Sequence, residues 1–393
     1  MSSSIAPKIL ASRLYDNDES SLLGMASEPG MGIKRRFPPA EQDLDYVDVR
    51  FLRVVGRNKV PIAIHDDIQL DCLDRKNDTS AQPGAIMEVY KGSWKGQRVA
   101  VKYIRRSCIG EAYRRAMVDL SFELQIMSKS SLCEHRNITK LLAVCFDKAS
   151  EDTNEFPNSV VHPGLVVELA HERYPDLRQF FDTGCYSDRT KRLPFQKSAN
   201  FVADIADGIT ALHDHDIVHA DLKPDNILLF PDIHSPGELV AKIADFGFVG
   251  MTTYTRYGKR AGFAVDRPRG GTAEWSAPEC LENPDAWFSS GSIEHPQYEA
   301  CSDIYSFGLL ACYIALDGQS PIQYVPNLSK AKLSGTMRDI VVTRLEEYYC
   351  QNCFDGEKSF KELGMYIAQQ TLNLDWKDRI KSLRSIRGKV FGT

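Results

Sequence analysis

The feature that most restricts the fold of this chain is a change of period near Ala170: strand-like runs dominate before it and helix-period runs after it. Ile86-Met-Glu-Val-Tyr and Arg98-Val-Ala-Val-Lys-Tyr-Ile are β-rich and flank Lys91-Gly-Ser-Trp-Lys-Gly, so they predict a hairpin with its turn in that stretch. Leu120, Leu124 and Met127 recur at helical spacing within 111–129, and the strand-like runs Leu141–Phe146 and 164–169 follow. Beyond Ala170, Phe201, Ile205, Ile209 and Leu212 mark one buried helix, and Ile304 to Ala315 marks another. A small β-rich half before a larger helical half predicts an α+β, two-lobed architecture.

The rest of the chain is read against that plan. Residues 1–45 are rich in Ser, Pro, Gly and mixed charge, without apolar periodicity, and predict a disordered arm. In 46–81 the short runs Phe51-Leu-Arg-Val-Val and Ile62-Ala-Ile predict one or two strands of an N-terminal extension. The polar stretch from Asp147 to Ser159 predicts a surface insertion. With 48 basic against 53 acidic residues, the net charge of -5 provides no general attraction to nucleic acid. Ile304–Leu316, flanked by Asp303 and Asp317, is too short to cross a bilayer, and the start of the chain lacks a secretory pattern. A cytoplasmic location without membrane insertion is expected. Ten scattered cysteines predict reduced thiols, and Cys350-Gln-Asn-Cys353 lacks the second pair that a zinc site would need.

Chemistry concentrates in four places. Lys102 lies in the strand Val99-Ala-Val-Lys, and Glu123 on the next helix is placed to reach back to it. His219-Ala220-Asp221-Leu222-Lys223-Pro224-Asp225-Asn226 sets a carboxylate, a lysine and an amide on one loop. Asp221 suits a proton acceptor, and Asn226 suits a divalent-metal ligand. Asp245 precedes Phe246-Gly247 after a strand-like run, which suits a second metal ligand on a tight turn.

In this order the motifs resemble the eukaryotic protein kinase superfamily, from about Gln82 to about Lys389. Supporting matches are His135-Arg-Asn-Ile, Thr272 leading to Ala277-Pro278-Glu279, Ser302-Asp303, and Asp375-Trp-Lys-Asp-Arg379. The resemblance implies a domain over 82–393, with a small lobe to about 169 and a helical lobe from about 170. It implies that Lys102 contacts the phosphates of ATP and pairs with Glu123, and that Asp221 is the base with Lys223 beside it. Mg2+ would be held by Asn226 and Asp245. Adenine would lie among Val89, Ala100 and Leu228 against backbone groups of Glu168 and Ala170, with Val167 at the gatekeeper position. Glu279 and Arg379 would form a structural ion pair, and Asp303 would brace the catalytic loop. Lys223 with Thr272 is similar to the Ser/Thr pattern, in a tyrosine-kinase-like setting, and implies ATP and a protein substrate as partners.

The chain departs from the family in its lid, at Ala220 and at Trp376, which stands where the family has proline. The glycine-rich phosphate lid aligns to Gln82-Pro-Gly84-Ala-Ile-Met87-Glu-Val89, retaining only Gly84 of its glycines. Ala220 replaces the arginine that commonly precedes the catalytic Asp, so activity is expected not to need phosphate on the hydroxyls of 252–257. These departures are what a pseudokinase acting as a scaffold would show, whereas the retained Lys102, Glu123, Asp221, Asn226 and Asp245 favour an enzyme. A small-molecule phosphotransferase is disfavoured by the stretch ending in Ala277-Pro278-Glu279.

Overall fold

The computed structural model describes residues 40–64, 67–71, 87–105, 108, 110–147, 162–183, 192–248, 250–251, 272–282, 296–351 and 358–391. A helix α1 (Ala40–Arg57) precedes β1 (Ile62–Ala63), β2 (Ile68–Leu70), β3 (Met87–Trp94) and β4 (Gln97–Ile104). Helix α2 (Gly110–Met127), β5 (Leu141–Asp147) and β6 (His162–Glu168) complete the small lobe. Its six strands lie in the order β1-β5-β6-β4-β3-β2, antiparallel except where β1 joins β5. Alternation puts Val99, Val101, Tyr103 and Val166 on one face, while Ile104 and Leu165 pack on the other against Met117, Leu120 and Leu124 of α2.

Three expectations are corrected here. The turn of the β3–β4 hairpin is Lys95-Gly96 alone, both at positive φ, with Trp94 opposite Gln97. Gly92 belongs to the strand because β2 runs close beside it; a Cβ there would come within 2.5 Å of the Gln69 carbonyl oxygen. Phe51–Val55 is helical, not a strand. Phe51 and Val55, one helical turn apart, bury themselves among Tyr113, Ala116, Met117, Leu120 and Leu124, so tertiary packing overrides the β-branched preference. Third, α1 begins inside the expected arm; β1, by contrast, forms in the run Ile62-Ala-Ile where a strand was expected, and β1 and β2 both join the sheet.

The α1–α2 contact joins the extension to the helix that carries Glu123. Phe51 also meets Phe146 edge-on, and Arg50 lies over the Phe122 ring. Val55→Ala removes the equivalent of two buried methylenes, worth about 1.6 kcal/mol at ~0.8 each. An unfolding free energy, read from urea denaturation, lowered by that amount is expected; an unchanged value would mean that α1 does not stay docked.

The large lobe is built on α4 (Phe195–His213) and α6 (Pro296–Ala315), after the short α3 (Leu177–Thr183). Phe201, Ile205, Ile209 and Leu212 are buried in one cluster with Ile304, Phe307, Leu310 and Ile314, as their spacing predicts. Between these helices come β7 (Ile217–Val218), β8 (Ile227–Pro231), β9 (Leu239–Ile243), β10 (Gly250–Met251) and α5 (Glu279–Glu282). Helices α7 (Leu328–Leu333), α8 (Met337–Gln351), α9 (Lys358–Thr371) and α10 (Arg384–Phe391) close the lobe. The basic end of the chain buries Leu383, Ile386 and Val390, while Arg384 and Arg387 pair at the surface with Asp214 and Asp207. Among the described residues, no helix is long and apolar enough to cross a membrane.

Candidate active site

The loop from His219 to Asn226 leaves β7 and enters β8, and its shape is set from below. Asp303, on α6 and 1% exposed, accepts the backbone N–H groups of His219 (2.8 Å) and Ala220 (2.9 Å) and bonds His213 Nε2 (2.9 Å). Ala220 has φ +66°, and this left-handed step turns successive N–H groups toward one acceptor. Burial opposes the charge on Asp303, but the bond from His213 and nearby positive groups hold its pKa below the usual carboxylate value. The expected brace is present.

Above that brace, Asp221 is 3% exposed and its carboxylate is fully engaged. Oδ2 accepts from Lys223 Nζ (2.7 Å) and Asn226 Nδ2 (3.0 Å). Oδ1 accepts from the Thr272 N–H (2.8 Å) and the Thr272 hydroxyl (3.0 Å). Lys223 Nζ also reaches Thr272 Oγ1 at 2.9 Å, so one ammonium ties the loop to the segment that leads into α5. A hydroxyl therefore already sits at hydrogen-bond range from the carboxylate proposed as base.

On the other wall of the cleft, Lys102 Nζ lies 2.8 Å from Glu123 Oε2 and 3.0 Å from Asp245 Oδ1. Burial penalises the lysine charge, yet Asp245 and Glu123 outweigh it and hold its pKa above the usual lysine value. Lys102 conversely pulls Asp245 below the ordinary carboxylate range. Asp245 adopts φ +63°, a left-handed step that an aspartate tolerates better than most residues. Phe246 after it is fully buried, 5.6 Å from the His219 ring, and its turn packs against α2. Glu123 and Asp245 are thereby located by the same helix.

The donor set suits a hard divalent cation. The Asn226 amide NH2 is committed to the Asp221 carbonyl (2.7 Å) and carboxylate, which turns its oxygen outward as the remaining donor. Asp245, with a side chain 42% exposed, offers a second oxygen besides the one on Lys102.

Val89, Ala100, Lys102 and Val167 share one face of the sheet, since Val89 pairs with Lys102 and Ala100 with Val167. Val89 is 60% exposed on that face, and half-buried Leu228 on β8 is bridged to Asp176, both in the large lobe. Glu168 is fixed at the end of β6 by the Lys140 N–H (2.7 Å) and by Lys242 Nζ (2.7 and 2.8 Å). Ala170 follows, half-buried, in the segment joining the lobes. Sequence reading missed Lys242, because a lone lysine in a strand carries no signal until its partner is known. Gly84 with most of the lid, the hydroxyls of 252–257, the 147–159 insertion beyond Asp147, and Cys353 lie outside the described residues.

The Glu279–Arg379 pair forms as a fork, at 2.6 and 2.8 Å, with the arginine side chain fully buried. Where the resemblance leads one to expect proline, Trp376 stands half-buried with Lys377 and Lys381 over its ring, at 5.5 and 5.3 Å. The turn survives because Asp375 accepts the Lys377 N–H.

A family model described as a protein kinase domain matches residues 83–390. A probable serine/threonine-protein kinase of Dictyostelium discoideum is 25% identical over 63% of this chain and 12% of its own length. Serine/threonine-protein kinase STY17 of Arabidopsis thaliana is 24% identical over 70% of this chain and 39% of its own. The megakaryocyte-associated tyrosine-protein kinase of Mus musculus is 28% identical over 64% and 38% respectively. The chain thus spans well under two thirds of the length of each of these relatives.

Proposed function

Because the chain belongs to the protein kinase family, we propose that it transfers the γ-phosphoryl group of ATP to serine and threonine hydroxyls of proteins. The observation that carries this reading is the buried Asp221 carboxylate with a lysine, an amide and a hydroxyl all donating to it within hydrogen-bond range. Phosphoryl transfer needs positioning and charge neutralisation more than covalent chemistry, and these groups offer both.

In this reading Lys102, held straight by Glu123, contacts the phosphates of ATP. Asn226 and Asp245 hold Mg2+, which neutralises phosphate charge when bound. Asp221 orients the acceptor hydroxyl and takes its proton, and Lys223 supports the phosphoryl oxygens in flight. Val89, Ala100 and Leu228 enclose the adenine, and backbone groups of Glu168 and Ala170 meet its edge, while Gly84 belongs to the lid. The link from Lys223 to Thr272 supports serine and threonine as acceptors, since it places a small aliphatic hydroxyl against the base.

The test is direct. The purified chain with Mg2+ and γ-labelled ATP is expected to label itself or casein on serine and threonine, with no label on tyrosine. Nucleotide binding without transfer would instead favour a scaffolding role for the fold.

A further inference from the structure

Residues 272–278 present Ala273 and Glu274 outward beside Asp221 while burying Trp275, Ala277 and Pro278. Such a segment is not a helix or a strand, so its carbonyls need donors from elsewhere. Each one has them. The Thr272 carbonyl accepts the N–H groups of Trp275 and Ser276, Ala277 accepts from Cys280, and Pro278 accepts from Leu281. The Trp275 carbonyl accepts from Ser306 Oγ at 2.9 Å. The remaining three, from Ala273, Glu274 and Ser276, all go to one side chain: Lys332 Nζ, at 2.8, 2.7 and 2.6 Å.

Lys332 sits on the six-residue α7 and is 0% exposed. A lysine there is expensive, because burial disfavours its charge and pulls its pKa down to about 7, against the pull of Cys280, Glu274 and Glu279. An apolar residue would avoid that penalty but would strand three carbonyls. An ammonium carries three N–H donors and no acceptor, which matches this requirement one for one. Its ring neighbour Tyr305, 5.8 Å away, also lies under Arg379.

We propose that Lys332 is a positioning residue for protein-substrate docking, fixing the backbone of 272–278 and, through Thr272, the hydroxyl and N–H that meet Asp221. This rests on the kinase reading above. The chain of contacts is continuous: Lys332 to the Ala273 carbonyl, Ala273 to its neighbour Thr272, and Thr272 to both Asp221 and Lys223. No part of it touches the nucleotide wall formed by Lys102, Val89 and Ala100. The outward residues of the tethered segment are therefore where an acceptor peptide would lie, and the tether defines their height above the base.

Lys332→Met keeps an unbranched side chain one atom shorter and removes the three donors; Lys332→Gln keeps two. The control is Lys330→Met, on the exposed side of the same helix. Casein affinity, read in the presence of Mg2+ and a non-hydrolysable ATP analogue, is expected to fall about tenfold or more in the Met variant and by less in Gln. Nucleotide affinity is expected to stay within about twofold. Amide exchange in 272–282 is expected to accelerate in the same order, with 110–127 unchanged, and this readout needs no transfer. Unchanged casein affinity in a folded Met variant would overturn the proposal, as would casein and nucleotide affinities falling together. If the Met variant does not fold, the Gln variant decides by the same two measures. A wild-type chain that transfers nothing, while the Met variant still exchanges faster at 272–282, would sink the kinase reading and leave the tether standing.

Discussion

Asp221→Asn is expected to lower phosphoryl transfer by about 10²–10⁴-fold while leaving nucleotide binding intact. The carboxylate has four donors, and the substitution keeps its shape and changes two things. It removes the charge that pairs with Lys223, and it presents an NH2 to groups that are themselves donors. Whichever way the amide turns, either Thr272 or the Lys223–Asn226 side loses an acceptor. Local rearrangement is therefore part of the expected result, and the rate must be measured together with melting temperature and affinity for an ATP analogue. Lys102, Glu123 and Asp245 make none of the four bonds to the Asp221 carboxylate and should keep their grip on one another. A variant that folds and retains more than about a tenth of the wild-type rate would remove Asp221 from the role of base.

The residues of that prediction could be read from the sequence because chemistry dictates their type and the resemblance to the protein kinase family supplies their order. Lys102, Glu123, the Asp221–Asn226 loop and Asp245 come from four separate parts of the chain, yet the structure brings them into two adjoining clusters. The strand-to-helix change at Ala170 was legible for a different reason: period 2 and period 3.6 report burial on one face, and burial is what the core enforces. The same logic fails at Phe51–Val55. Two β-branched residues in a short apolar run carry a local preference for strand, and only the facing surface of α2 selects the helix. Gly92 fails similarly, since a glycine that punctuates a turn and one that admits a neighbouring backbone look alike in sequence. Lys332 was the least legible residue. Sequence gives a lysine in a short polar helix every reason to be solvated, and its burial follows from three carbonyls contributed by a segment more than fifty residues earlier.

Arg379→Met is expected to cost about 3–5 kcal/mol, the largest stability loss among the substitutions considered. The reason is what it leaves behind. Arg379 donates twice to Glu279, and also to the carbonyls of Cys301 (2.9 Å), Asn373 (2.9 Å) and Leu374 (3.2 Å). Methionine fills part of the volume but abandons a carboxylate that is 8% exposed together with three backbone acceptors. Glu279→Gln alone should cost less, because an amide oxygen can still accept from the guanidinium, which keeps its three backbone carbonyls although its buried charge loses its counter-ion. In the double variant the buried carboxylate is gone, so its loss should fall short of the sum of the two singles by about 0.5–3 kcal/mol. Strict additivity in urea unfolding would mean that the fork contributes nothing beyond its separate contacts. Since Glu279 begins α5 directly after the tethered segment 272–278, the Arg379 variant should also loosen that segment. Faster exchange at 272–282 would then appear by a route independent of Lys332. The two residues lie against the same tyrosine ring from different elements, so each can loosen 272–282 by its own contacts.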